Sequence, residues 1–368
     1  MSTYDRYAAA PKQPVGDTWN VPMDGDTRFS WEYDDGRDRL LALYQKGKDK
    51  QWDSTKRIDW SVEVDPVNPA GFPDEYNAFY GSDIWLRMNE KEQDTLLQHI
   101  NAWTFSQFLH GEQGAMVTSA RLVEAVPDLD AKFYAATQTM DEARHVETFS
   151  RFLHDKVGII YPMNDDLASL LNDALGSSDW DYSYLGMQVL IEGLALAAFG
   201  VYRDLSTNPL AKQLLAYVMQ DEARHVAFGR ITLRDHYREL SAKERSERED
   251  FVVEGCWLMR NRFLARDVYE TLDLPIDECL EVAEHSQLQT AFRSLLFSRI
   301  VPCVKDIGLW GEKVQKCYAD MGVLDMAGVD LEALMRSDEE FAEQMDVERV
   351  GLQRRADEVH ETIAAAAD

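Results

Sequence analysis

A formal net charge of −28 over 368 residues, from 66 Asp and Glu against 38 Lys and Arg, repels phosphate backbones and anionic membrane surfaces, and so excludes nucleic acid as a partner. With 45% hydrophobic residues, including nine Trp and fifteen Phe, the chain has the composition of a packed globular protein rather than a disordered one. The four cysteines, Cys256, Cys279, Cys303 and Cys317, lack Cys-x-x-Cys spacing, and no run approaches eighteen uninterrupted apolar residues, so reduced buried thiols, no membrane segment and a cytoplasmic location are expected.

Residues 1–90 hold Pro11, Pro14, Pro22, Pro66, Pro69 and Pro73 among many Gly, Asp and Trp. They read as an extended arm with a short helix from Arg37 to Lys46, wrapped on the main body or on a partner subunit. Residues 91–240 turn helical. From Lys91 to Val126, Phe105, Phe108, Glu112, Met116 and Ser119 fall on one stripe at steps of three or four. Pro127-Asp128 starts a second helix carrying Glu142, His145 and Phe149, which runs to Val157 and is stopped by Gly158 and Pro162. The stretch from Ile159 to Trp180 is too long for a tight hairpin and reads as a crossover with one turn at Leu167 to Leu171. A third helix, Asp181 to Leu205, puts Leu185, Val189, Glu192, Ala195, Leu196 and Phe199 on one face, and Asn208-Pro209 opens a fourth with Leu215, Val218, Glu222, His225 and Val226. Residues 241–368 are expected as a helical extension packed on the bundle. Ser241-x-x-Glu244 opens a helix to Thr271, Pro275 opens another that Pro302 breaks or kinks, and the charged tail after Gly328 reads as a surface or partner helix.

Two copies of Asp-Glu-Ala-Arg-His-Val, starting at Asp141 and Asp221, stand eighty residues apart, and thirty residues before the Glu of each lies another carboxylate, Glu112 and Glu192. Glu and His at i and i+3 project from a helix about 60° apart, close enough to reach one metal ion. Two such helices, with two more each giving one Glu, make the inward-facing ligand set of a two-metal helix bundle. This predicts an all-α bundle in which Glu112, Glu142 and His145 serve mainly one metal and Glu192, Glu222 and His225 the other, with two carboxylates bridging. Oxygen-rich ligation disfavours copper and thiolate zinc sites and leaves iron or manganese. Four carboxylates balance two divalent ions, whereas unpaired on apolar stripes each would be costly to bury. Asp141 and Asp221 are expected to accept the free ring N–H of the histidine on the opposite half, Asp141 from His225 and Asp221 from His145, with Arg144 and Arg224 completing an ionic belt. His110 reads as an ordinary polar neighbour, not a seventh ligand.

Glu112, Glu142-x-x-His145, Glu192 and Glu222-x-x-His225 match residue by residue the metal ligands of ferritin-like carboxylate-bridged di-iron proteins. The Asp-Glu-x-Arg-His form in both halves is most similar to the hydroxylase subunits of bacterial multicomponent monooxygenases, and more loosely to ribonucleotide reductase small subunits and acyl carrier protein desaturases. The resemblance covers residues 95–240. It implies a ferritin-like four-helix bundle with a long crossover, two Fe ions (Mn or mixed Mn/Fe being the alternatives), and those six residues as metal ligands and catalytic groups. The implied activity is that of an O₂-activating oxidoreductase, a monooxygenase on a small or medium organic substrate, re-reduced by a ferredoxin-like or flavin reductase and assembled as a homodimer. Phe105, Phe108, Phe149, Leu196 and Phe199 would line an apolar substrate site or simply form bundle core. Phe149 stands where ribonucleotide reductase small subunits carry a radical tyrosine, which excludes a stable tyrosyl radical there. Leu196 stands where multicomponent monooxygenases carry threonine, and Val218 where arylamine N-oxygenases carry an extra histidine ligand. Two other readings stay open: a ribonucleotide reductase small subunit-like redox cofactor subunit without a tyrosyl radical, and an iron storage or ferroxidase protein.

Overall fold

The computed structural model describes residues 20–348 apart from 23–24, 32 and 34–35, and helices are the sole regular secondary structure among the described residues. Pro11, Pro14 and the tail beyond residue 348 lie outside them. The described part of the arm lies on its own chain's bundle. Its helix α1 (Asp38–Asp49) follows Arg37, which pairs with Asp128 at 3.0 Å and Asp130 at 3.2 Å at the start of the second bundle helix. Further back, Arg28 N donates to Glu124 O at 2.8 Å.

The bundle is two helical pairs. α2 (Glu90–Ala125) starts at a capping box in which Asn89 Oδ1 accepts from Glu92 N at 3.1 Å and Asn89 N donates to Glu92 Oε2 at 2.9 Å, and it ends at Ala125 because Val126, the residue before Pro127, is extended. α3 (Leu129–Phe152) packs along it, continues as a π-helical turn Leu153–Val157, and stops at Gly158, whose φ of +80° lies in the left-handed region that glycine favours at a helix end. The crossover holds more structure than its sequence suggested. Instead of a single turn it forms α4 (Asp165–Gly176), because Asn164 caps it and Leu167, Leu170, Leu171, Ala174 and Leu175 recur at helical steps and are all buried. Gly114 on α2 admits this helix, since a Cβ there would sit 2.7 Å from Leu171 Cδ2.

The second pair is α5 (Trp180–Leu205) and α6 (Pro209–His236), the latter opened by Asn208, whose side chain accepts from Leu210 N and Ala211 N. The middle of α5, Leu185–Ile191, is π-helical and hands over to regular helix at Glu192; such turns shift side-chain register and gather at functional sites. α5 is long and apolar enough to cross a membrane, but 83% of its most apolar stretch is buried inside the protein, as befits the core helix that carries Glu192.

The C-terminal extension departs from its sequence pattern at three places. α7 (Ala242–Asn261) opens on the expected Ser241/Glu244 capping box but ends before Thr271: a 3₁₀ turn, Arg262–Leu264, and Ala265 at φ +52° separate it from α8 (Arg266–Thr271). α9 (Ile276–His285) and α10 (Gln287–Asp306) are divided at Ser286, which caps α10, while Pro302 lies inside α10. Burial of Leu296, Ile300, Val301, Cys303 and Val304 beside α5 holds that helix through the missing backbone hydrogen bond. After α11 (Glu312–Asp320) the tail is helical over 331–348 and folds back on its own chain, with Asp338 buried between Arg203 at 3.1 Å and Arg299 at 2.5 Å and Asp346 on Arg57 at 2.6 Å. All four cysteines are free and buried.

Candidate metal centre

The stripes on α2, α3, α5 and α6 converge. Glu112, Glu142, His145, Glu192, Glu222 and His225 are each at most 4% exposed. His145 Nδ1 lies 3.1 Å from Glu112, 3.3 Å from Glu142 and 3.0 Å from Glu222, and His225 Nδ1 lies 3.0 Å from Glu142 and 3.4 Å from Glu222. Two clusters result, Glu112, Glu142, His145 and Glu222 in one and Glu142, Glu192, Glu222 and His225 in the other, each with ligand atoms within 4.8 Å of one another. Glu142 and Glu222 stand in both.

Whether these residues fit a metal pair is decided by their unsatisfied atoms. Glu192 Oε2, both Glu222 oxygens and His225 Nδ1 are buried without a hydrogen-bond partner, although other donor atoms of the set stand about 3 Å away. They face a shared space instead of bonding to each other. Left so, each buried polar atom costs about 1–3 kcal/mol, and cations bound between them would remove that cost. Carboxylate-rich ligation with one imidazole per cluster suits iron or manganese.

The other ring nitrogens are held across the pseudo-symmetry. His145 Nε2 lies 3.1 Å from Asp221 Oδ2 and His225 Nε2 lies 3.3 Å from Asp141 Oδ2, the exchange between halves that the repeat predicts. Arg144 donates to Asp141 at 2.6 Å and to Asp221 at 2.7 Å, and Arg224 pairs with Asp221 and lies 3.6 Å from Asp141. Such a belt fixes each ring with Nδ1 turned toward the ligand space. His110 Nε2 instead meets the Tyr161 carbonyl at 2.7 Å, apart from the set.

Three residues of this site are absent from the sequence reading. Gln138 donates to Glu142 at 3.1 Å and to Glu192 at 2.7 Å, tying one carboxylate of each half together. Its signal was available: it sits one turn before Glu142 on the same buried face. Gln51 and Trp52 come from the arm, with Gln51 Nε2 donating to Asp141 at 2.6 Å, Gln51 Oε1 accepting from Arg144 at 2.8 Å, and Trp52 Nε1 donating to Asp221 at 2.8 Å. No spacing rule links residues so far apart in sequence.

In the metal-free protein, burial and the charge of Glu222 push Glu112 and Glu192 well above the usual carboxylate range. Burial opposes protonation of the imidazoles, but Asp221, Glu112 and Glu142 raise His145 well above its ordinary value, as Glu142 and Glu222 raise His225. Groups shifted in this direction hold protons to higher pH than free side chains do, and a metal must displace them, so metal uptake is expected to release protons and affinity to fall as pH falls. Titration calorimetry of Mn(II) binding in two buffers of different ionisation enthalpy reads this directly; identical heats in both would refute it.

A helical bundle with two Glu-x-x-His helices and two further Glu turned onto one buried centre defines the ferritin-like carboxylate-bridged di-iron class. The chain belongs, within that class, to the P-aminobenzoate N-oxygenase AurF family, whose family model matches residues 34–308. It is an enzyme of the di-iron oxygenase and oxidase kind. The class is the one the motifs implied, while the family is that of the N-oxygenases and not of the multicomponent hydroxylase subunits, so Val218 in place of a histidine does not set the chain outside it. Similar solved structures include variants of an R2-like ligand-binding oxidase with a reconstituted Mn/Fe cofactor. One is 19% identical with a TM-score of 0.44 over 76% of this chain and 95% of that chain. Another is 18% identical with a TM-score of 0.45 over 77% and 96%. Among curated proteins none matches the chain in sequence.

Proposed function

We propose that the protein is an O₂-dependent monooxygenase that oxidises the nitrogen of an aromatic amine, with Glu112, Glu142, His145, Glu192, Glu222 and His225 holding two iron ions and Glu142 and Glu222 shared between them. The observation that carries this reading is the set of orphaned buried donors beside a cleft that shares Phe263 with an apolar cavity of about 390 Å³. A cavity of that size suits a small aromatic ligand. Thr104 and Tyr202 line it from the same helices that carry Glu112 and Glu192. Two iron ions bound at the centre would activate O₂ and supply electrons for its cleavage. In the overall reaction one oxygen atom is added to the amine and the other leaves as water, which takes two electrons and two protons from outside.

The chain's own residues shape that chemistry. Phe105, Phe108, Phe149, Leu196 and Phe199 are all buried. Phe108 and Phe199, with rings 4.7 Å apart, line the cleft beside Glu112, Glu192 and Glu222, Phe105 and Phe108 pack on Tyr202 of the cavity wall, and such apolar rings keep water from the reacting atoms. Phe149 offers no phenol to be oxidised in place of the substrate. The cavity favours an enzyme over a ribonucleotide reductase-like subunit that passes its oxidising equivalent to another protein. External electrons require a donor, a ferredoxin-like or flavin reductase. Val117, Phe133 and Met140, exposed on α2 and α3, support a homodimer, and we place the protein in the cytoplasm.

The test is single turnover of Fe(II)-loaded protein with p-aminobenzoate and other arylamines under ¹⁸O₂. Label in a hydroxylamine or nitro product is expected. Absence of any oxygenated amine, with steady oxidation of Fe(II) far beyond two per chain, would assign the protein to iron handling instead.

A further inference from the structure

The break between α7 and α8 places an arginine where the sequence pattern would have continued a helix. Ala265 holds a positive φ of 52°, a conformation that costs a non-glycine residue energy and persists only where its surroundings impose it. The turn before it directs Arg262 and Phe263 inward, to 5% and 6% exposure. Both line a narrow cleft between α2 and α5 together with Glu112, Glu192 and Glu222, and Phe263 also lines the 390 Å³ cavity.

Arg262 has no ionic partner among the described residues. Among the described residues the other six buried arginines, Arg121, Arg144, Arg203, Arg224, Arg248 and Arg299, each pair with a carboxylate. Arg262 instead has Nη1 at 3.7 Å from Met259 Sδ and an Nε without a partner. Burial lowers its guanidinium to about 10, and Asp166 acts on it only at a distance, so it remains a cation at neutral pH. A buried, unpaired guanidinium is costly to keep, and its planar fork of donors matches a carboxylate.

We propose that Arg262 binds the anionic group of the substrate, a carboxylate on an aromatic ring, at the junction of cleft and cavity. This rests on the oxygenase reading above and adds the residue that selects an acid over a neutral arene. The cleft has a volume of about 20 Å³, room for a water molecule, so the ring is taken by the larger cavity and Phe263 is the wall that must turn aside for its carboxylate to reach Arg262.

The experiment compares benzoate with benzamide, the same shape without the charge, by titration calorimetry on Mn(II)-loaded wild type, Arg262→Met and Arg262→Lys. Wild type should bind benzoate at least about tenfold tighter than benzamide, a modest yield for a charge-assisted pair. Arg262→Met should bind the two equally with benzamide affinity unchanged, and Arg262→Lys should keep part of the preference. Because the substitution removes a buried charge that has no partner, the ligand-free Arg262→Met protein should melt no lower than wild type. A benzoate preference that survives in Arg262→Met, no preference in wild type, or loss of both ligands together with a lower melting temperature would each overturn the assignment. If benzoate is held through Arg262 but no arylamine is oxygenated, the anchor stands and the amine reading falls.

Discussion

Glu222→Ala protein should bind no metal tightly, while His225→Ala protein should keep about one ion per chain. The asymmetry follows from the clusters: Glu222 stands in both and His225 in one. Removing Glu222 takes one oxygen from each position and leaves Glu112 and Glu192 without the carboxylate that completes either cluster. Removing His225 leaves Glu112, Glu142, His145 and Glu222 in place around the other position. Equilibrium dialysis against Mn(II) distinguishes the two variants. Equal residual binding would mean that the two positions do not share Glu222.

Arg144→Met should destabilise the folded protein by about 3–5 kcal/mol, the usual cost of removing one partner from a buried ionic group. Arg144 is 5% exposed and donates to both Asp141 and Asp221, which in turn hold the two histidines. Without it two buried carboxylates lose a cation at once, and Arg224 alone must serve both. Urea denaturation reads the loss, and metal affinity should fall with it because the imidazoles lose their fixed orientation. The same change at Arg262 should cost no stability. The contrast separates an arginine that holds the protein together from one that waits for a ligand, and an unchanged denaturation midpoint for Arg144→Met would show that the belt does not stabilise the fold.

The bundle was legible because its helices obey rules that act within a few residues. The Asn208-Pro209 start, the Ser241/Glu244 box and the stop at Gly158 are local chemistry, and the structure places each where the sequence does. The duplicated Asp-Glu-x-Arg-His likewise encodes its own symmetry, and from it the cross-half pairs His145 with Asp221 and His225 with Asp141 could be written down in advance. What escaped was set by contacts between distant segments. Asn164 gives the crossover helix a cap, but only burial against the bundle makes its leucines worth ordering. The interruption at Arg262 to Ala265 has no glycine or proline to announce it, and Pro302, which does announce a break, sits inside a helix that packing holds together. Gln51 and Trp52 reach the aspartates only because the arm lies on its own bundle. The family within the class was also beyond the ligand motif, since that motif is common to the class and Val218 pointed elsewhere.

The two clusters together predict one buried centre that holds two metal ions sharing Glu142 and Glu222. The most direct test is electron paramagnetic resonance of wild-type protein dialysed to saturation with Mn(II), alongside its metal content. Two ions per chain with a spin-coupled signal are predicted, because shared carboxylates bring the ions close enough for their spins to interact. One ion per chain, or two giving only the signal of isolated Mn(II), would contradict it.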